Sequence, residues 1–368
     1  MISAVAVALA FTAPVQAAGA ATGNVLSVRD VYGMPGQIVT IYVDLENEDA
    51  VQNCDFKLVL PAVLSAPISV ELTERKQDHE LSWSLYEPDT YRFLILSWGK
   101  KTLPGNSGAI LRITCQVGAN VGTYQLLIQD AKAVNPAYEN VLTGTRNATV
   151  TVYTAPAKVR IKTWLEGFHV LGLLRTDIRA ASELPWTSPY PEAVRTASSL
   201  PTSIADWILL ELRATADGPA LQRQSFLLKN DGFLCEMDGS TTTLTLDMPP
   251  GTYWLVLRHR NHAAVMSATA QALNSTTAVY YDFILAPGQF YGGGGKALGG
   301  GYHAMPCGDI SGEGSLTTVD YVAWYHRIML SPAPGYHRED LNGDRLVNES
   351  DYSLWLNNAR AGWDSRVP

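Results

Sequence analysis

The sequence predicts a multidomain, mainly β protein: two β-sandwiches followed by a small α-helical module built on two acidic loops. Three observations carry this. The 368 residues allow two or three domains, each large enough to bury a core. From Asn24 to Phe283, short β-branched or alternating runs follow one another between Gly, Pro and Asn turns, with hardly a segment of helical period. Beyond Asp309, one twelve-residue acidic pattern occurs twice. Composition excludes two classes: 46% hydrophobic against 17% charged residues rules out a disordered chain, and a formal charge of -8 leaves no basic stripe for a phosphate backbone. No nucleic-acid partner is expected.

Residues 1–23 read as an export leader. Ile2 to Val15 is almost wholly small or apolar, and Val15-Gln16-Ala17 places small side chains where a signal peptidase reads them, although no Lys or Arg precedes the run. The run is shorter than the about 20 residues a membrane span needs. A secreted, extracellular or cell-surface protein without a membrane span is the expectation. The four cysteines form no C-x-x-C pair of the kind used by zinc or thiol-exchange sites.

Residues 24–153 supply the first sandwich. Ile38 to Val43, Phe56 to Leu60, Arg92 to Leu96, Ile110 to Thr114, Tyr124 to Ile128 and Ala148 to Val152 are strand-like runs separated by Pro-Gly and Asn-rich turns. Their order is more specific than their composition. Pro35-Gly36-Gln37 before a Thr/Val strand, Asp44-Leu45-Glu46-Asn47, Phe56 to Pro61, Gly108-Ala109-Ile110-Leu111 and Gly122-Thr123-Tyr124 together resemble cohesin and cohesin-like modules. That resemblance implies a jelly-roll sandwich acting as a protein receptor. It also implies a topology with Cys54 and Cys115 on neighbouring antiparallel strands, and hence a Cys54–Cys115 disulfide in an oxidising compartment.

Residues 158–285 supply a second sandwich of unknown function. The strand runs Val159 to Leu165, Trp207 to Leu212, Ser225 to Leu228, Thr241 to Leu246 and Tyr253 to Arg258 are linked by turns at Asn230-Asp231-Gly232, Asp238-Gly239 and Pro249-Pro250-Gly251, an antiparallel Greek-key pattern. The whole is similar to transthyretin-like or carboxypeptidase-regulatory-like sandwiches. Ser182 to Ser203, rich in Pro, Ser and Thr, reads as a surface loop, and the Gly-rich residues 286–302 as a flexible linker.

The densest polar cluster in this region is Arg258 to His262. Residues three apart on a strand face opposite ways, so His259 and His262 meet only if the strand ends between them. A hydrolase carried by this region needs paired carboxylates, and Glu166, Asp206, Glu211 and Asp238 are the candidates. Trp164, Trp186, Trp207 and Trp254 are the candidates for contact with a polysaccharide. No nucleophile, base or metal-ligand signature stands out, and a non-catalytic protein is the expectation.

Residues 303–368 are the most informative. Asp309, Ser311, Glu313, Thr317 and Asp320 place side-chain oxygens at loop positions 1, 3, 5, 9 and 12, and Asp340, Asn342, Asp344, Asn348 and Asp351 repeat this at a constant offset of 31 residues. Tyr321 and Trp324 recur as Tyr352 and Trp355. A hard cation such as Ca2+ takes about six to eight oxygens at about 2.3–2.6 Å, and a tight loop supplies them as alternate side chains plus one carbonyl at position 7, here Ser315 and Leu346. Two bound calcium ions are expected. Helices should follow each loop from Tyr321 and Tyr352, with Asp320 and Asp351 at their starts.

A loop followed by a single helix, given twice with Asp at position 12, resembles a type I dockerin over residues 309–362. The chain departs from that pattern at Ser311 and Glu313, where Asn and Asp are usual. It departs again at Arg345, where position 6 favours Gly and another residue costs on the order of 1 kcal/mol. The resemblance implies partner recognition through positions 10 and 11, here Thr318-Val319 and Glu349-Ser350. The two pairs differ in charge, so symmetric two-way docking is not expected. The partner it implies is a cohesin or dockerin module of another protein, within extracellular assemblies that bind or degrade polysaccharide.

Overall fold

The computed structural model describes residues 23–368, so all but the last residue of the expected leader lies outside the described residues. These divide into two compact units. One ends at Pro156 and takes in Asp247–Pro249; the other comprises Ala157–Leu246 and Pro250–Pro368.

Strands β1 (Asn24–Val28), β2 (Val31–Gly33), β3 (Ile38–Glu46), β4 (Asn53–Val59), β5 (Ser69–Leu72), β6 (His79–Glu87), β7 (Thr90–Ser97), β8 (Ala109–Gln116), β9 (Gly122–Val134), β10 (Leu142–Arg146) and β11 (Ala148–Val152) build the first unit. They form two sheets, in the orders β10-β1-β3-β8-β5 and β2-β11-β9-β4-β7-β6. β3 and β4 bury every second residue, the period of a strand with one face on a core. Ile41, Val43 and Leu45 of one sheet thereby meet Phe56, Leu58, Phe93 and Ile95 of the other in a single apolar cluster. Burying each such side chain stabilises the fold by about 1.5–3 kcal/mol.

The disulfide implied for Cys54 and Cys115 is not formed, and both are free, buried thiols. Cys54 on β4 pairs with Ile95 and Ala133, whereas Cys115 on β8 pairs with Val39, so the two strands lie in opposite sheets. Burial pushes the Cys54 thiol up to about 12 and Cys115 up to about 11, which keeps both protonated and unreactive.

The second unit begins with β12 (Lys158–Lys162), β13 (His169–Val170), β14 (Leu173–Leu174), α1 (Asp177–Ala180), β15 (Ile204–Arg213), β16 (Ala220–Lys229), β17 (Leu234–Cys235), β18 (Leu244–Thr245), β19 (Gly251–His259), β20 (His262–Met266), β21 (Gln271–Leu273) and β22 (Val279–Asp282). A sheet β17-β16-β15-β19-β20, with β21 added to β19, accompanies a three-stranded sheet β18-β12-β22. All ten residues of β15 are buried, so the larger sheet is covered on both faces at its centre.

Part of that cover is the segment expected as a surface loop. Leu184, Tyr190, Ala197 and Leu200 are buried, Tyr190 donates to the Trp207 carbonyl (3.2 Å), and the Trp207 indole donates to the Pro185 carbonyl (2.8 Å). A Pro-rich segment carries fewer N–H groups that need partners, which eases its burial against a sheet.

The expected linker is also structured. It holds two 3-10 turns and the hairpin β23 (Lys296–Gly299) and β24 (Tyr302–Ala304), buries Phe290, and sends Lys296 to the carboxylate of Glu166. The chain closes with α2 (Thr318–Met329) and α3 (Glu349–Ala361). Residues 158–285 and 303–368, expected as separate modules, thus share one compact unit. Among the described residues, no helix is long and apolar enough to cross a membrane.

Candidate metal centre in two acidic loops

The two loops wrap their backbones around carboxylates in the same way. Asp309 accepts from the N–H groups of Gly312 (2.8 Å) and Gly314 (3.0 Å), as Asp340 does from Gly343 (2.8 Å) and Arg345 (2.9 Å). Asp320 accepts from Ser311 (2.7 Å) and Thr317 (2.8 Å). Asp351 accepts from Leu341 (2.7 Å), Asn342 (3.3 Å) and Asn348 (2.9 Å). Asp320 and Asp351 also complete capping boxes: Thr317 accepts from the Val319 N–H at the start of α2, and Asn348 from Ser350 at the start of α3.

The four aspartates are buried. Burial, with a neighbouring carboxylate adding to it, pushes Asp309 and Asp340 up to about 6 and Asp351 up to about 7, and raises Asp320. Arg338 and Arg260 offset this only in part, at Asp309 and Asp340 respectively. Desolvated carboxylates in this state take up either protons or a cation.

The remaining expected ligands are arranged less simply. Glu313 accepts from the Thr317 hydroxyl (2.6 Å). Asp344 accepts from the Leu346 N–H (2.9 Å) and the Asn342 amide (3.0 Å). Among the described residues, no group of three or more His, Cys, Asp and Glu side chains is placed to hold a metal ion. Each loop offers two buried carboxylates, and the further oxygens expected from its sequence, Ser311 and the Ser315 carbonyl in the first and Asn342 and the Leu346 carbonyl in the second, are neutral. An all-oxygen set of this kind suits a hard cation and lacks the nitrogen and sulfur that zinc prefers.

The repeated aromatic positions pack the two halves together. Tyr321, Trp324, Tyr352 and Trp355 form a quartet, with Trp324 and Tyr352 stacked at 5.0 Å and Tyr321 and Trp355 tilted at 5.6 Å, around Cys307, Ile310 and Leu341. Thr318, Val319, Glu349 and Ser350 are all exposed. Sequence reasoning missed what surrounds Val319. Val322, Tyr325 and Met329, at helical spacing along α2, are also exposed and make an apolar stripe that α3 does not repeat.

The Arg258 to His262 cluster is a buried tie. The strand does end between the histidines, at the β19/β20 turn, and their Nδ1 atoms lie 2.9 Å apart. Burial lowers the basicity of both rings, and the remaining Nε2 atoms face the Asp206 carboxylate (3.3 Å) and the Glu166 carbonyl (2.9 Å). Burial favours protonation of Asp206, but Arg260 and His259 outweigh it and hold the carboxyl below its usual range.

The other candidate carboxylates are likewise engaged. Glu211 is held at about 2, against the effect of burial, by Arg258, Arg223 and Arg213. Glu166 accepts from the Cys307 N–H (3.0 Å) and the Asn358 amide (2.6 Å), and Asp238 from Ser240 and Thr241 (both 2.8 Å). Of the tryptophans considered for sugar contact, Trp186 is exposed, whereas Trp164 and Trp207 are buried and Trp254 is partly buried against Tyr291.

No family model matches the chain, and no curated protein matches it. Solved structures similar to it are cohesins. One is a non-cellulosomal cohesin from the archaeon Archaeoglobus fulgidus, 16% identical with a TM-score of 0.33, covering 36% of this chain and 93% of that one. Another is the sixth cohesin of scaffoldin B from Acetivibrio cellulolyticus, in complex with a Cel5 dockerin mutant: 17% identical, TM-score 0.34, covering 36% of this chain and 100% of that one. A third, the Coh-OlpC–Doc435 complex from Clostridium thermocellum, is 15% identical at a TM-score of 0.33 and covers 37% and 98%. At such scores the likeness carries no argument about what this chain binds, and the two-sheet description of the first unit rests on its own strand pairing.

Proposed function

We propose that this is a secreted, non-catalytic assembly protein, in which a cohesin-like first sandwich is joined to a dockerin-like last module that binds two calcium ions. The observation that carries this reading is the wrapping of a buried aspartate pair by backbone N–H groups in both loops, identical in pattern at Asp309 and Asp340. Asp309, Asp320, Ser311 and the Ser315 carbonyl would hold one ion. Asp340, Asp351, Asn342 and the Leu346 carbonyl would hold the other. A bound ion supplies the positive charge that the desolvated carboxylates lack. The chain's own contribution is to fix the starts of α2 and α3 and so present Val319, Val322, Tyr325 and Met329 to a cohesin-type sandwich of another protein.

Calorimetric titration of the full chain tests this. Two calcium ions bound per chain, and capture of a cohesin partner that chelator abolishes, are expected. Absence of any heat of calcium binding would overturn the reading.

A further inference from the structure

The second loop does not stand alone. At the β19/β20 turn, the Asn261 amide donates to the carbonyls of Arg338 (2.8 Å) and Asp340 (2.7 Å), and Arg260 donates to the carbonyl of His337. Arg338 returns a hydrogen bond to the Arg260 carbonyl (2.9 Å), and the Tyr336 hydroxyl donates to Asp206 (2.8 Å). Two glycines allow this approach: a side chain at Gly167 would collide with the Leu341 carbonyl, and one at Gly343 with the Phe168 ring.

The departure at position 6 belongs to the same contact. Arg345 occupies the left-handed region at φ 77°, and its guanidinium makes two hydrogen bonds, of 2.8 and 2.6 Å, to the Glu183 carboxylate in the segment that covers β15. The pair is partly exposed and water screens it, so its effect is to fix position more than to add stability. The first loop has Gly314 at this place, leaves Gly312 and Glu313 exposed, and is held from Asp364 and Ser365 and, ahead of Asp309, by the Gly308 N–H donating to the Asn261 carbonyl (2.9 Å).

We propose that the middle sandwich is the mould of the second loop: its hairpin tip and Glu183 set residues 336–345 in their final shape before an ion arrives, whereas the first loop, which that tip meets at Gly308 ahead of the first aspartate, is ordered mainly by its ion. This gives the middle sandwich a function, which is to pre-build half of the last module. The inference deepens the calcium reading and depends on it only for the identity of the ligand.

Amide hydrogen exchange on the full chain in chelator tests it. In the wild type, Gly343 and Arg345 are expected to exchange at least tenfold more slowly than Gly312 and Gly314. E183Q and R345G are each expected to speed exchange in the second loop at least threefold, and N261A at least tenfold. The surface variants E183Q and R345G keep the test open if N261A does not fold. Equal rates in the two loops of the wild type would overturn the proposal. So would slower exchange in R345G, because relief of the left-handed backbone would then matter more than the lost tether. A protected second loop in a chain that gives no calcium heat would retain the mould and remove only the ion.

Discussion

The first sandwich keeps its charges at the rim, whereas the second unit carries them inside. In the former, Arg29–Asp44, Arg92–Asp55, Arg112–Glu71 and Arg146–Glu46 pair across outward positions at 2.5–3.1 Å, above an apolar core. In the latter, Asp206 and Glu211 have no exposure at all and are matched by Arg260, His259, Arg213 and further arginines. An exposed pair gains little because water screens it, while a buried charge that loses its partner keeps its full desolvation cost. The same chemistry is therefore dispensable in one region and structural in the other.

The largest test of that contrast is Arg260→Ala, which strands the Asp206 carboxylate. A loss of about 3–5 kcal/mol in urea unfolding is expected, and a loss below about 1 kcal/mol would erase the distinction.

Next comes pH. Without calcium, Asp309 and Asp340 sit at about 6 and Asp351 at about 7, above their unfolded value of about 3.9. The folded state then holds protons more tightly than the unfolded one. This contribution is full below about pH 4 and is lost as pH rises through 6 and 7. Relative to protein in saturating calcium, chelated protein should lose about 2–3 kcal/mol for each such carboxylate between pH 4.5 and 7.5. His259 and His262, kept neutral in the fold by burial, protonate in the unfolded chain below about 6.5 and pull the curve the opposite way in both samples, so the readout is the difference between chelated and calcium-loaded protein. Chelated and calcium-loaded curves of equal slope would show that the loops are not the proton-binding element.

Smaller still, Glu71→Gln on the first sandwich should move the urea midpoint only slightly in the same assay, because water screens the exposed pair with Arg112. Smallest is the effect of a reductant. With Cys54 and Cys115 free and in opposite sheets, reduction should leave the unfolding midpoint unchanged, and mass spectrometry of a non-reduced digest should return both as thiols.

What could be read from the sequence was local. Alternation over Ile38 to Val43 marks β3, and the spacing of Asp309 and Asp320 marks a loop that the structure closes with four hydrogen bonds to those same carboxylates. What escaped was tertiary. Which sheet receives Cys54 and which Cys115 depends on strand order, which no short window contains. Glycine content around Gly292 to Gly295 resembles a linker until Phe290 and Lys296 find partners far along the chain. The buried ties of Asp206 to Tyr336 and Glu166 to Asn358 join residues 130 and 192 positions apart, beyond any periodicity. Arg345 was visible as an anomaly, but Glu183, which explains it, was not.

Asp320 and Asp351 each serve two masters, closing an acidic turn and starting a helix with the same carboxylate. A lever whose pivot is also its latch cannot be released halfway. Removing the Asp320 side chain should unwind the first turn of α2 and slacken its loop in one motion, so the stripe on α2 would be lost as a whole, with no graded intermediate.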